Sequence, residues 1–141
     1  MNLERAIEIA LEAHKGVSDK GGNPYVLHPL RMMFAVSTDE EKIVAVLHDV
    51  VEDGDEWDFE RLEKEGFSIE ILGALRSVTK ITEDEDYDDF IERALRNPIG
   101  RQVKIADLKD NLDVTRIGEL IEKDMKRLNK YKKALVELAG T

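Results

Sequence analysis

Apolar positions recur along the chain at spacings of three and four, the period of helices, and almost nowhere in strict alternation. Over residues 2–14, Leu3, Ala6, Ile7, Ala10 and Leu11 form one stripe, behind Asn2 as a capping side chain. The glycine-rich "KGVSDKGGNPY" (15–25) interrupts the pattern as a loop. His28-Pro29 opens a second helix, with proline in its first turn, that runs to about Val36. Thr38 and Glu41 make a capping box for a third, which carries "AVLHDVVED" and which Gly54 can stop. Asp58 and Gly66 bracket a short helix, and Ser68 begins another that reaches about Val78. "TEDEDYDD" is an acidic loop leading into a helix around 87–96. Pro98 starts the next, "IGRQVKIADLKDNLDV", and the last covers about 118–139. With no strand, repeat or linker, the pattern predicts an all-α bundle of seven or eight helices in a single domain, 1–141.

On a helix, at about 100° per residue, residues 43–53 divide sharply. Ile43, Val44, Val46, Leu47, Val50 and Val51 take one side. His48, Asp49, Glu52 and Asp53 take an arc of roughly 140° on the other, with Ala45 leaving space among them. Four polar groups at a helix end suit a solvated face as well as a site. His28, among apolar neighbours, reads alone as a hydrogen-bonded structural histidine. Asp107 lies between Val103, Ile105, Ala106 and Leu108, so its carboxylate needs compensation if buried, from Lys104 or an arginine for example. Together, His28, His48, Asp49 and Asp107 make a two-nitrogen, two-oxygen set. It suits Mn²⁺, Fe²⁺ or Zn²⁺ without choosing among them.

Composition narrows the classes. At 42% hydrophobic and 6% aromatic residues, the core is aliphatic. The absence of cysteine excludes disulfides, thiolate catalysis and zinc fingers, and suits a reducing cytoplasm. The N-terminal "MNLERAIEIA" is amphipathic and acidic, unlike a signal peptide, and no apolar run approaches the roughly 18 residues of a membrane span. The expected location is therefore cytoplasmic. A net charge of −10 argues against nucleic acid and anionic membrane as partners. A phosphorylated small molecule stays open, because a metal reverses the local field.

Four stretches, "AHKGVSDKGGNPYVLHPLRM", "AVLHDVVED", "SVTK" and "VKIADLKDN", occur in this order over about residues 3–115. They resemble the HD-domain metal-dependent phosphohydrolases. More narrowly, they resemble the hydrolase domain of the RelA/SpoT alarmone enzymes and their short stand-alone relatives. The resemblance implies an HD-domain helical bundle with His28, His48, Asp49 and Asp107 as ligands of a divalent metal, usually Mn²⁺. It implies that Glu52 and Asp53 handle the attacking water. The reaction it implies removes the 3′-pyrophosphate of guanosine tetraphosphate (ppGpp). By the same resemblance Lys20 lies near the nucleotide and Asn111 faces the substrate. Lys104 and Lys109 can meet phosphate, or can simply be exposed lysines.

Three departures remove positive charge near a bound nucleotide, where it matters most inside a cleft. Asp19 stands where the family has an arginine that stacks on the base. "LKDNLDV", with Asp110 and Asp113, replaces a basic "LHNMR" stretch. Residues 83–89 are strongly acidic. The alarmone synthetase half is expected to be absent. Three readings follow: hydrolysis of ppGpp; hydrolysis of another phosphate ester, such as a nucleotide 3′-phosphate or the 2′-phosphate of NADPH; or a non-catalytic module that binds metal and nucleotide.

Other features carry less. "EDEDYDD" lacks the glycine and spaced glutamate of an EF-hand. "KGG" lacks P-loop spacing. His14 closes the first helix and is expected to meet its terminal carbonyls rather than a metal. Met32, Met33 and Phe34 read as core or pocket wall. The basic, amphipathic last helix is expected to pack on the bundle and leaves a homodimer open.

Overall fold

A computed structural model describes residues 2–53 and 55–140. Among them are nine helical segments: α1 (Leu3–Ala13), α2 (Leu27–Ala35), α3 (Asp39–Leu47), α4 (Val50–Asp53), α5 (Phe59–Lys64), α6 (Ile69–Ser77), α7 (Tyr87–Leu95), α8 (Pro98–Leu112) and α9 (Glu122–Ala139). The described residues form no strand; one isolated bridge, Ser18 to Pro24, pinches the glycine-rich loop. No described helix is long and apolar enough to cross a membrane.

Local chemistry starts most helices where the sequence places them. Asn2 accepts from the Arg5 N–H at 3.0 Å. Thr38 and Glu41 form a reciprocal capping box. Asp58, Ser68 and Asn97 each cap with a side-chain oxygen, and Pro98 follows Asn97. Gly66 takes a positive φ of 99°, which a glycine adopts without penalty. The expected stop at Gly54 lies outside the described residues.

α3 sits at the centre, packed against α1, α2, α6 and α8, while α9 covers α8. Residues Ile43 to Leu47 are all buried, as suits a helix surrounded on every side. Ile9, Met32, Leu62, Leu75, Leu108 and Leu138 complete an aliphatic core. At Gly100 a Cβ would lie 1.9 Å from the Ser77 hydroxyl, so glycine lets α8 press directly on α6.

The structure corrects four expectations. The buried face of α1 is Ala6, Ile9 and Ala10, while Leu11 is 49% exposed; the stripe is turned toward α3. Met32 and Met33 are core, but Phe34, at the end of α2, is 82% exposed. The last helix begins at Glu122, because residues 118–121 belong to the loop after α8. The helix expected over 43–53 is interrupted at His48 and Asp49, which join α3 to α4.

Candidate metal centre

The interruption is shallow. His48 keeps helical dihedrals (φ −56°, ψ −32°), and the Asp53 N–H reaches the Asp49 carbonyl at 2.9 Å. Its consequence is chemical. The His48 Nδ1–H donates to the Ala45 carbonyl at 2.9 Å, which fixes the ring and leaves Nε2 facing inward. His28, in the first turn of α2, is held in the same manner. Its Nδ1 lies 2.6 Å from Asp110 Oδ2 and its Nε2 lies 2.9 Å from Asp107 Oδ1, across 79 residues of chain.

The two Nε2 atoms meet two carboxylates. Asp49 Oδ2 is 2.9 Å from His48 Nε2, and Asp107 Oδ1 is 3.7 Å from it. Ligand atoms of His28, His48 and Asp49 all lie within 4.8 Å of one another. Each imidazole thus offers one nitrogen and spends the other on a support. This donor set fits a divalent cation: two imidazole nitrogens and two carboxylates converge, with each Nδ1 engaged by a support.

Supports come from several elements. Tyr25 donates its hydroxyl to Asp49. Asp107 accepts from Lys104 Nζ at 2.8 Å and from Asn111 Nδ2 at 3.0 Å. Burial opposes the charge on Asp107, yet Lys104 and the two histidines hold its carboxyl well below the usual range. Burial also opposes Asp49, which His48 pulls down to about 2. In the metal-free protein burial works against charged His28, but Asp107 and Asp110 outweigh it and raise its pKa to about 9. Glu52 accepts from the Lys80 N–H at 2.6 Å, and burial raises its pKa. Asp53 is raised to about 6 by burial and by the carboxylates of Asp49 and Glu52.

A cleft of about 450 Å³ opens onto this cluster. His28, Asp49 and Asp107 line it, as do Lys20 and Asn111. His48 lies buried beside them. Glu52 and Asp53 sit on the exposed turn next to the cluster rather than on the cleft wall. Lys104 is neither exposed nor on the wall. It is buried under Asp107 with its ammonium 4.7 Å from the Phe90 ring centroid, so its place is the support of a carboxylate rather than contact with substrate.

Several residues have roles the sequence did not announce. Tyr25, Arg31, Arg116, Arg127 and Tyr131 all line the cleft. Asp110 faces His28 and takes a side-on pair of bonds from Arg31 at 2.8 and 2.9 Å, rather than standing as a bare charge. The i,i+3 spacing of Asp107 and Asp110 on α8 is the signal that they share a face. Asp19 shapes its loop, accepting from the Gly21 and Asn23 N–H groups at 2.9 Å each. The acidic loop lines no part of this cleft. Glu85 pairs with Arg93 at 2.6 Å and Asp86 caps α7, so its charge is not spent beside this cleft. His14 caps α1 through its backbone N–H. Its ring makes no contact with the helix carbonyls; both ring nitrogens are buried without partners, edge-on to Tyr25 at 5.0 Å between centroids.

No protein-family model matches the chain. A solved structure does: that of a metazoan orthologue of SpoT, described as hydrolysing ppGpp and playing a role in starvation responses. It superposes with a TM-score of 0.81 at 26% identity, covering 99% of this chain and 86% of that one. The chain thus resembles an HD-type domain of the RelA/SpoT hydrolases, in fold and in sequence. Sequence relatives of this HD-type domain include a guanosine-3′,5′-bis(diphosphate) 3′-pyrophosphohydrolase from Aquifex aeolicus, 32% identical over 121 residues, which are 78% of this chain and 17% of that protein. A putative chloroplastic GTP diphosphokinase from Oryza sativa is 37% identical over 81 residues, 55% of this chain and 9% of its own length. A probable GTP pyrophosphokinase from Mycobacterium leprae is 30% identical over 126 residues, 81% of this chain and 16% of that protein. The HD-type domain therefore spans only a small part, 9% to 17%, of these curated relatives.

Proposed function

We propose that the domain is a divalent-metal-dependent phosphohydrolase of nucleotides, acting first on the 3′-pyrophosphate of ppGpp and using Mn²⁺. The observation that carries this reading is the convergence of His28 Nε2, His48 Nε2, Asp49 and Asp107 at the floor of a cleft of nucleotide size. The names of the relatives from Aquifex aeolicus and from a metazoan support the same substrate.

In the reaction a water oxygen bonds to the phosphorus attached to the ribose O3′. The P–O3′ bond breaks, O3′ takes a proton, and pyrophosphate leaves. His28, His48, Asp49 and Asp107 hold the ion, which supplies positive charge against the phosphoryl oxygens. Glu52, fixed by the Lys80 N–H, and Asp53, titrating near 6, take the proton from water and return one to O3′. Tyr25 keeps its own proton, since burial and Asp49 push the phenol far above its usual range, and so it holds Asp49 in place. Lys20 and Asn111 contact the nucleotide from the cleft wall.

One observation favours a second substrate, a phosphate ester carrying fewer charges. Lys20, Arg31, Arg116 and Arg127 each have a carboxylate within 3.6 Å, so the wall offers little uncompensated positive charge. The test is pyrophosphate and phosphate release from ppGpp, a nucleoside 3′-phosphate and NADPH by the Mn²⁺-loaded protein, with His48→Ala as blank. Pyrophosphate release from ppGpp that vanishes in the blank is expected. Phosphate release from the other esters alone moves the assignment to them. Nucleotide binding without turnover on any of the three overturns the enzymatic reading.

A further inference from the structure

Asp110 lies one turn beyond Asp107 on α8, with its side chain only 12% exposed. Its carboxylate gathers donors from three side chains, two on α2 and one on the loop after α8. Oδ2 is 2.6 Å from His28 Nδ1 and takes Arg31 Nη2 at 2.9 Å. Oδ1 takes Arg31 Nε at 2.8 Å and lies 3.3 Å from Arg116 Nη2. Arg116 Nη2 also donates to the Asp110 backbone carbonyl at 3.0 Å. An ionised carboxylate has about four lone-pair positions, and here nearly all are used. Both arginines line the cleft, while His28 belongs to its floor.

We propose that Asp110 is a positioning residue: it holds His28 with Nε2 turned to the ion and ties that ligand to Arg31 and Arg116 on the cleft wall. The proposal rests on the metal-centre reading above. A buried imidazole N–H without an acceptor is costly, so without Asp110 the ring loses its reason to keep this orientation. Carboxylate partners of ligand histidines raise ligand basicity and fix the tautomer, and their loss typically weakens metal binding about 10- to 100-fold. The side-on Arg31 pair in turn fixes the carboxylate plane. Where the family's "LHNMR" stretch places a histidine before its asparagine, this chain has Asp110 before Asn111.

The test is calorimetric titration of Mn²⁺ into the full metal-free chain, wild type against Asp110→Ala, Asp110→Asn and Arg31→Gln, with circular dichroism to confirm folding. Asp110→Ala is expected to weaken Mn²⁺ binding by about 10- to 100-fold. Asp110→Asn keeps an acceptor oxygen for His28 Nδ1 and is expected to lose less, about 3- to 10-fold. Arg31→Gln leaves the His28 contact intact and is expected to stay within about threefold of wild type. A role confined to the Arg31 ion pair would instead move Arg31→Gln and Asp110→Ala together, and that result overturns the proposal. So does wild-type affinity in Asp110→Asn and Asp110→Ala alike. If Asp110→Ala does not fold, Asp110→Asn decides: weakened binding supports the role and unchanged binding ends it. A wild-type chain that binds no Mn²⁺ fails the metal reading itself, a different outcome from variants that match a binding wild type.

Discussion

The four-residue cluster and the acidic turn that follows its members His48 and Asp49 are close neighbours, yet they are built on opposite terms. In the cluster every ring nitrogen has a partner and the helices α2, α3 and α8 each fix one part. Glu52, at the turn, is held by a single backbone N–H from Lys80, and both Glu52 and Asp53 keep part of their surface exposed. Burial also acts differently in the two places. In the cluster, opposite charges outweigh it, so Asp49 and Asp107 stay ionised. At the turn, like charges add to it, so Asp53 is pushed up to about 6. Rigidity and low pKa suit groups that hold a cation; looser fixing and a pKa near neutrality suit groups that exchange protons.

This contrast can be broken by substitution. The largest effect is expected from Asp49→Ala, which removes a carboxylate touching both His48 and Tyr25. Pyrophosphate release should fall at least about 1,000-fold, with bound metal lost, as read by elemental analysis of the purified variant. Retention of both ion and rate would place the ion elsewhere. Glu52→Gln should cost about 100-fold in rate while Mn²⁺ affinity stays within about threefold. An equal loss of affinity would mean that the turn belongs to the cluster after all.

A smaller effect sharpens the contrast through pH. In the metal-free protein His28 titrates near 9, above its ordinary 6.5, and an ion requires it neutral. Between those two values Mn²⁺ affinity should therefore rise at least about tenfold per pH unit, with at least one proton released per ion bound, because His48, also raised by Asp49 and Asp107, must be neutral too. The metal-free fold runs the other way. A raised histidine pKa contributes stability that is complete below 6.5 and is lost as pH climbs through 9. Titration in buffers of different ionisation enthalpy counts the protons, and a flat affinity profile across this window would contradict the assignment.

Much of this architecture was readable from local chemistry. The Thr38–Glu41 box, the Asp58 and Ser68 starts and the Pro98 start act within one turn, so the sequence alone displays them. The closeness of His28, His48, Asp49 and Asp107 was foreshadowed by the motifs that carry the resemblance rather than by any one residue alone. What failed depends on rotation and on distant partners. Period alone does not say whether Ile9 or Leu11 faces α3, and only packing decides. For Lys104 the sequence leaves two readings open, an exposed lysine meeting phosphate and a partner for Asp107, and only its burial decides for the second. Asp110 reads as an added negative charge until His28 and Arg31, 82 and 79 residues away, close on it. Lysines, aspartates and arginines have ordinary surface roles by default, so their burial becomes visible only when the fold supplies the opposite charge.

The meeting of His28 with Asp107 across 79 residues has a thermodynamic side. An unfolded chain scatters these ligands, so an ion that needs all of them binds the native state alone. Its free concentration then acts as a lever on the folding equilibrium, adding about 2.7 kcal/mol at 100 times its dissociation constant. With the ion held as proposed, its scarcity would lower the abundance of folded protein as well as its rate, and the supply of metal would become a control on how much of this domain survives.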